Sequence, residues 1–347
     1  MKNKLLIAGL ITLASVSAVA KNKVVYGIDN RFEISNSPYS GLKKSVAGMV
    51  DKYSIKEVKN EKGEVLSHEI KYYGDLTTYQ GRKTCDDMQF REQPTAASCT
   101  GFLIAEDMLV TAGHCVVRRG QKVENKQTYS CKNNKWVFGY ETASEKDGKL
   151  KFAKDDVYEC AEVIAGEYSE LRDYAIVKLT KKTVGKTPVK LDAEKDNYKK
   201  GEDIFVVGHP SGLPMKIAAG AEVMVNQDES RFLTNLDTFA GNSGSPIFNF
   251  WGDVIGILVS GETDYYYDYT RGCMAVNKCD DYDKACNRAY TGKARGETGT
   301  KISLVLEALK KDKEKKDKKE VVQKIEEVIE EIEEEEEVEE IEVEIEL

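Results

Sequence analysis

Short apolar runs separated by polar turns dominate residues 40–260, and this pattern constrains the fold more than any other feature of the chain. Clear examples lie at Phe102–Ile104, Asp203–Val207 and Val254–Val259. Runs of this kind predict β-strands, and their spacing favours an all-β barrel protein over a fold of alternating strands and helices. Near the end of the region, Ile302–Leu309 predicts a helix.

Three segments carry residue types suited to nucleophilic catalysis. Residues 111–115 are Thr-Ala-Gly-His-Cys, residues 173–179 are Asp-Tyr-Ala-Ile-Val-Lys-Leu, and residues 240–246 are Ala-Gly-Asn-Ser-Gly-Ser-Pro. The Ser243 hydroxyl would need an adjacent base to take its proton, and histidine is the side chain that ordinarily titrates nearest neutral pH. His114 is therefore the candidate base. Asp173 would hold its imidazole in the required tautomer.

The loop around the serine also offers backbone donors for a developing oxyanion. The N–H groups of Gly241 and Ser243 are the candidates, and glycine at 241 permits a backbone conformation that a side chain would resist. Each motif alone also occurs in ordinary turns and helix caps. Their agreement in order and context indicates a catalytic triad of His114, Asp173 and Ser243.

These segments resemble the trypsin and chymotrypsin superfamily of serine proteases. Asn242, before the serine, is similar to the bacterial glutamyl-endopeptidase-like (staphylococcal-type) branch, as are residues 25–31 and 208–212. The similarity covers about residues 24–310. It implies two six-stranded antiparallel barrels, an active site in the cleft between them, and a C-terminal helix packed on the second barrel.

The resemblance also implies a disulfide between Cys99 and Cys115, which would fix the histidine loop. The chain has eight cysteines, an even number that fits a disulfide framework outside the reducing cytosol. No Cys-x-x-Cys pair is present and there are only three histidines, so we expect no metal site and no cofactor.

The other cysteine pairings stay open at the level of sequence. Cys131 and Cys160 flank one hairpin region, which favours a bridge between them. The three cysteines after residue 270 lie close together and favour local bridging, which leaves Cys85 to pair with one of them.

The resemblance places the primary substrate pocket around residues just before Ser243 and a strand just after it. Asp237 and Thr238, with Ser260 and Gly261 on the later strand, are the candidate pocket residues. A carboxylate from Asp237 at the pocket floor would favour Lys or Arg at the cleavage position, because an unpaired buried charge is costly until a cation arrives. Alternatively, Asp237 caps a turn or pairs locally, and Asp264 is a second candidate acid.

Two further departures from the family bear on function. The later strand, residues 256–261, carries no histidine, which argues against the glutamate specificity of the glutamyl-endopeptidase branch. Asn242 cannot form the ion pair with a freed N-terminal amine that activates animal trypsins.

His209, which precedes Pro210, is interpreted as a structural loop residue.

Residues 1–20 have the lysines, apolar run and Ala-Val-Ala ending of a secretory signal peptide. We therefore expect secretion to a periplasm or beyond, with no membrane association after the signal is removed. Residues 21–40 are interpreted as a short propeptide or an N-terminal belt. The protease domain is expected over 41–310.

Residues 311–347 form a charged low-complexity tail, rich in lysine and then in glutamate. It is interpreted as helical or disordered, with a helical hairpin or an acidic handle for a basic partner as alternatives. The net charge of −9 argues against nucleic-acid binding. The sequence thus predicts a secreted serine endopeptidase acting on proteins or peptides through an acyl-enzyme. The alternative is a non-catalytic or latent protease-like binding module.

Overall fold

A computed structural model of the protein describes residues 25–192, 198–280, 282–286, 295–320 and 322–324. The signal peptide expected at 1–20 and the acidic end of the tail, from residue 325, lie outside these ranges. No helix within the described ranges is long and apolar enough to cross a membrane.

The described residues are built mainly from short strands. The first fourteen are β1 (Arg31–Glu33), β2 (Val46–Asp51), β3 (Ile55–Lys59), β4 (Val65–Ile70), β5 (Thr78–Tyr79), β6 (Arg82–Lys83), β7 (Cys99–Ala105), β8 (Met108–Thr111), β9 (Gln121–Lys126), β10 (Asn134–Phe138), β11 (Glu145–Lys146), β12 (Lys149–Ala153), β13 (Val157–Tyr168) and β14 (Asp173–Leu179). The remainder are β15 (Asp203–Gly208), β16 (Lys216–Asn226), β17 (Arg231–Thr234), β18 (Pro246–Asn249), β19 (Val254–Ser260), β20 (Tyr265–Asp268), β21 (Cys273–Val276) and β22 (Glu297–Lys301).

Helices are few and mostly short. The α-helices are α1 (Gly113–Val116), α2 (Tyr129–Asn133) and a longer C-terminal helix described over 303–320. Single 3₁₀ turns lie at Ile34–Asn36, Ser40–Lys44, Lys52–Ser54, Thr142–Ser144, Lys154–Asp156 and Pro210–Gly212. The strands expected near residues 102, 173, 203 and 254 and the helix after Ile302 are all confirmed.

Two closed antiparallel barrels of six strands organise the chain. The first follows the order β10-β2-β7-β8-β14-β13 and closes where β10 pairs with β13. The second follows β16-β15-β18-β19-β22-β17 and closes where β16 pairs with β17. Strand β9 extends the first barrel and β1 the second, while β3, β4, β11 and β12 form a separate sheet. This architecture confirms the predicted fold class.

A continuous apolar core runs through both barrels. It includes Phe102 and Trp136 of the first barrel, Phe248 and Ile257 of the second, and Val305 of the C-terminal helix. Period-two alternation brings these side chains to the inner faces of the strands. Burying each of these side chains away from water contributes about 1.5–3 kcal/mol to the free energy of folding.

The C-terminal helix contacts the first barrel, although the resemblance implied packing on the second. Its buried Leu304 and Ala308 line a crevice shared with Ile164 and Tyr174 of the first barrel. Further along the helix, Lys315 forms an ion pair with Glu124 on β9. The lysine-rich start of the tail is therefore helical and lies against the first barrel.

Four disulfides cross-link the fold, and no cysteine is free. Cys99 is bonded to Cys115, as the resemblance implied, and Cys131 is bonded to Cys160, as their positions around one hairpin region favoured. The remaining bridges join Cys85 to Cys273 and Cys279 to Cys286. Such a set suits an oxidising compartment.

The two tryptophans give a matched test of the core. Trp136 is 1% exposed and Trp251 is 82% exposed. Trp136→Ala should lower the free energy of unfolding by about 3–5 kcal/mol through lost burial and a cavity. Trp251→Ala should change it by less than about 0.5 kcal/mol. Urea unfolding followed by circular dichroism measures both, and equal effects would contradict the described core.

Candidate active site

The register of the first barrel brings His114 and Asp173 to the same end. Strand β14 pairs antiparallel with β8, and Ala175 lies opposite Thr111. The chain leaves β8 at Thr111 and enters α1 at Gly113, while β14 begins at Asp173. Two segments far apart in sequence therefore place their side chains next to each other.

The Asp173 carboxylate makes two hydrogen bonds to the histidine residue. Its Oδ2 atom lies 2.8 Å from His114 Nδ1, and its Oδ1 atom accepts the His114 backbone N–H at 2.9 Å. The pair is partly buried, with the His114 side chain 25% exposed. This contact selects the tautomer with the proton on Nδ1 and leaves Nε2 able to accept a proton.

Glycine at 113 is required by the close approach of β13. A Cβ atom at this position would lie 2.0 Å from the Glu167 carbonyl oxygen and 3.0 Å from Asp173 Oδ1. Any side chain there would push α1 away from β14 and break the contact between His114 and Asp173. This accounts for the glycine in the Thr-Ala-Gly-His-Cys segment.

The loop that carries Ser243 is fastened to the first barrel by Thr100, a fully buried residue of β7. The Thr100 backbone N–H donates to the Ser243 carbonyl at 2.8 Å, and its hydroxyl donates to the Gly241 carbonyl at 2.8 Å. The Cys115 sulfur, next in sequence to His114, lies 3.7 Å from the same Ser243 carbonyl. The serine is thus held in the junction between the barrels, beside the histidine loop.

Two glycines flank the serine in conformations that favour glycine. Gly241 has φ +95° and Gly244 has φ +89°. A Cβ at Gly244 would lie 2.1 Å from the Thr100 carbonyl oxygen, so space as well as backbone conformation excludes a side chain.

The backbone N–H groups of Gly241 and Ser243 have no hydrogen-bond acceptor within the described part of the chain. By contrast, the N–H groups of Asn242, Gly244 and Ser245 are all bonded to carbonyls. The Ser243 and His114 side chains are both described, and the Ser243 hydroxyl makes no hydrogen bond to the His114 ring. Catalytic hydrogen bonds of this kind often tighten only when substrate is bound.

A pocket opens beside Ser243 between the serine loop and β19. Of the four residues expected there, Thr238, Ser260 and Gly261 line it. Asp237 does not: its Oδ1 accepts the Tyr26 N–H at 3.3 Å and its Oδ2 accepts the Asn30 N–H at 2.8 Å. The pocket-floor role and the alternative of a turn cap or local pairing were both wrong for Asp237, because its carboxylate is turned toward the N-terminal segment, more than 200 residues earlier in the chain.

The pocket is also lined by Glu297, an acid that sequence reasoning missed. Glu297 begins β22, is 3% exposed, and accepts hydrogen bonds from the Thr238 hydroxyl and, at 3.1 Å, from the Glu262 backbone N–H. A Cβ at Gly261 would collide with its carboxylate. Burial, together with the nearby Asp264 and Glu262, raises the pKa of Glu297 to about 8.

Glu262 and Asp264 also line the pocket, and Asp264 is the second candidate acid that the sequence offered. Each of the two has a compensating group. Glu262 accepts from the Arg295 backbone N–H at 2.6 Å and pairs with its guanidinium at 3.1 Å. Burial raises the pKa of Asp264 to about 6, opposed by the Ala240 N–H and by the charge of Arg31. Among the described residues, no arginine or lysine compensates Glu297 as Arg295 and Arg31 compensate the other two acids. Glu297 is the acid that a positively charged ligand would neutralise.

His209 lies behind the serine loop and is fully buried. Its Nδ1 lies 3.1 Å from the Leu213 carbonyl oxygen, its ring stacks on Tyr140, and its carbonyl oxygen lies where a Cβ of Gly241 would be. Burial lowers the pKa of His209 to about 4. These contacts agree with its interpretation as a structural residue.

One close group of metal-ligand types occurs among the described residues, formed by Cys99, His114 and Cys115. The two sulfurs are joined in a disulfide, so they cannot act as thiolate ligands. We therefore assign no metal to this group.

Comparison with known proteins agrees with this geometry. Residues 99–257 match the family described as Trypsin-like peptidase domain. The chain is 27% identical to the serine protease HTRA1 of Xenopus tropicalis over 178 residues, which is 48% of this chain and 32% of the relative. It is 25% identical to HTRA1B of Danio rerio over 224 residues, 61% of this chain and 39% of the relative. The chain thus spans about a third of the length of these relatives.

Among solved structures, a Glu endopeptidase in complex with MPD is 18% identical, with 82% of this chain and 96% of that chain covered and a TM-score of 0.41. The inactive form of Rv3671c from M. tuberculosis H37Rv is 15% identical, with 80% and 91% covered and a TM-score of 0.41.

Burial of neutral His209 should make folding stability depend on pH. Its pKa is about 4 in the folded protein and about 6.5 when unfolded, so between these values only the unfolded state binds the proton. The free energy of unfolding should therefore fall as pH drops from 6.5 to 4, by about 3 kcal/mol from this group. Urea unfolding at several pH values should show a shallower slope for His209→Phe, and an unchanged slope would contradict the assignment.

Proposed function

We propose that the trypsin-like peptidase domain of this chain is a secreted serine endopeptidase that cleaves after Lys or Arg. The contact that carries the proposal is the double hydrogen bond between Asp173 and His114, set beside a serine whose loop is bonded to the same barrel. A protein that only binds a partner would not need an aspartate that orients a histidine beside a serine loop.

In the proposed reaction, Ser243 Oγ attacks the substrate carbonyl carbon while His114 Nε2 accepts the hydroxyl proton. Asp173 stabilises the imidazolium that forms. The free N–H groups of Gly241 and Ser243 donate to the carbonyl oxygen as it becomes negative. His114 then returns the proton to the departing amine, and water hydrolyses the acyl-enzyme by the same route in reverse.

The preference for a basic residue is supported by the charge balance of the pocket. Glu262 and Asp264 are offset by Arg295 and Arg31, whereas Glu297 is a buried carboxyl group with no cation among the described residues. Since an ionised buried carboxylate is costly when unpaired, a substrate ammonium or guanidinium would stabilise its charged form. Glu297 thus takes the role that the sequence suggested for Asp237.

Secretion is supported by the signal-like residues 1–20 and by four disulfides, which persist in oxidising compartments. The narrower similarity to the glutamyl-endopeptidase-like branch rests on Asn242 and on residues 25–31 and 208–212. The pocket acid argues for a different cleavage preference from that branch.

The triad can be tested by fluorophosphonate labelling and peptide hydrolysis. Ser243→Ala should abolish both. Asp173→Asn should lower kcat by about 10⁴ while the protein stays folded, because the amide favours the wrong imidazole tautomer. Asp147→Asn, at an exposed aspartate paired with Lys151, is the matched control and should keep wild-type rates. Wild-type protein that neither labels nor cleaves would support the binding-module alternative.

The pocket assignment is tested by replacing the uncompensated acid. Glu297→Gln should lower kcat/KM for substrates with Lys or Arg at the cleavage position by about 100-fold and leave substrates with a neutral residue there nearly unchanged. Glu202→Gln, an exposed glutamate at the start of the second barrel, is the control. Equal losses on both substrate classes would contradict a role for Glu297 in charge recognition.

The same residue predicts a pH dependence. Because its pKa is about 8, Glu297 becomes ionised as pH rises through that value, and the preference for Lys over a neutral residue should rise with it. The ratio of kcat/KM for the two substrates cancels pH effects that act equally on both substrates. A flat ratio from pH 6 to 9 in wild type would contradict the prediction.

A further inference from the structure

The segment 25–33, which we call the N-terminal clasp, is bonded at one end to Cys279, after β21, and at the other end to β16 of the second barrel. Gly27 N–H donates to the Cys279 carbonyl at 3.1 Å, and Cys279 N–H donates to the Val25 carbonyl at 3.1 Å. At the other end, β1 pairs with β16, with Arg31 opposite Ala218. Val25 is fully buried. The clasp is therefore packed as part of the domain.

The middle of the clasp is held by Asp237, which is 1% exposed. One carboxylate oxygen accepts the Tyr26 N–H and the other accepts the Asn30 N–H. Both oxygens of this buried acid thus bond to the clasp. Since Asp237 precedes the pocket residue Thr238, the clasp is tied directly to the pocket wall.

A buried cation of the clasp lies behind the same wall. The Arg31 side chain pairs with Asp29 through Nε at 2.8 Å and Nη2 at 2.6 Å. Its guanidinium carbon lies 3.9 Å from the centroid of the Phe239 ring. Phe239 stands between Thr238 and Ala240, which both line the pocket. The Arg31 guanidinium thus makes an attractive cation–π contact with a residue of the pocket wall.

Arg31 also acts on the charge inside the pocket. The Ala240 N–H bonds to Asp264 at 2.8 Å, and the positive charge of Arg31 favours the ionised form of that acid. Other titratable groups around Asp264 are Glu297, Tyr79 and Tyr265, and around Arg31 they include Asp237 and Lys216. Of these groups, Arg31 alone belongs to the N-terminal clasp, so the clasp affects the charge of the pocket through Arg31.

We propose that the N-terminal clasp is a permanent part of the primary substrate pocket, with Asp237 as its receptor and Arg31 as the residue that positions the pocket wall. Residues 25–33 are then retained in the active enzyme, as a belt and not as a removed propeptide. The inference rests on the proposed function, because it concerns the pocket of that same site.

The test compares Arg31→Gln with Arg31→Lys, and uses Lys149→Gln, an exposed ion-paired lysine of β12, as the charge-loss control. Each variant is assayed for cleavage of Lys-containing and neutral peptides and for the rate of fluorophosphonate labelling, which needs the triad but not a filled pocket. Unfolding midpoints show that each variant is folded.

Arg31→Gln should lower kcat/KM on the Lys peptide by about 100-fold, mainly through KM, with labelling changed less than about threefold. Arg31→Lys should restore part of the loss, because it keeps the positive charge beside the pocket wall. A folded Arg31→Gln protein with wild-type cleavage, or a parallel loss of cleavage and labelling, would overturn the proposal.

If Arg31→Gln does not fold, Asp237→Asn gives the second test, because it replaces one acceptor oxygen with a donor facing the clasp. It should lose cleavage of the Lys peptide while labelling is largely kept. A folded Asp237→Asn protein that cleaves and labels at wild-type rates would overturn the proposal. Failure of the proposed function itself is distinguished by the wild-type enzyme, which would then neither label nor cleave.

Discussion

Thr100 is the residue on which the geometry of the site depends. Its N–H and hydroxyl hold two carbonyls of the serine loop, while the Thr111 hydroxyl and the His209 N–H bond back to its carbonyl and hydroxyl oxygens. Each of these hydrogen bonds joins Thr100 to a different segment of the chain, and Thr100 is fully buried. Because buried polar groups are costly when unpaired, the two barrels are held at one relative position by these bonds.

In the proposed reaction the first barrel contributes the base and the second the nucleophile, so neither barrel alone would contain a complete site. Asp173 can orient His114 only because β8 and β14 are paired, and Gly113 leaves the space for that contact. The disulfide from Cys99 to Cys115 ties the strand of Thr100 to the helix of His114. The nucleophile loop and the histidine loop are therefore fixed to one another through β7.

The pocket shows a conflict between stability and function. A buried carboxyl group whose pKa is raised from 4.5 to about 8 favours folding while it is protonated. That contribution is fully present below pH 4.5 and is lost as pH rises through 8. An apolar residue at 297 would avoid this loss but could not attract a cation. Asp237, whose two oxygens are bonded to backbone N–H groups, instead serves to hold the clasp.

The sequence by itself determined the all-β class, the main strands and the three segments that bear His114, Asp173 and Ser243. Those features can be read locally, because alternation sets the strands and each motif lies within a short segment. The contacts that require glycine at 113 and 244 are made with Glu167 and Thr100 and belong to the tertiary structure. The sequence offered Asp264, which does line the pocket, but only the tertiary structure decided which pocket acid lacks a compensating cation. Position relative to Ser243 suggested Asp237, but the clasp, more than 200 residues earlier in the chain, binds that carboxylate. Glu297 carries no local signal, because its role arises from the pairing of β22 with β19. Charge compensation depends on which groups meet in space, and that is fixed by barrel closure and not by spacing along the chain.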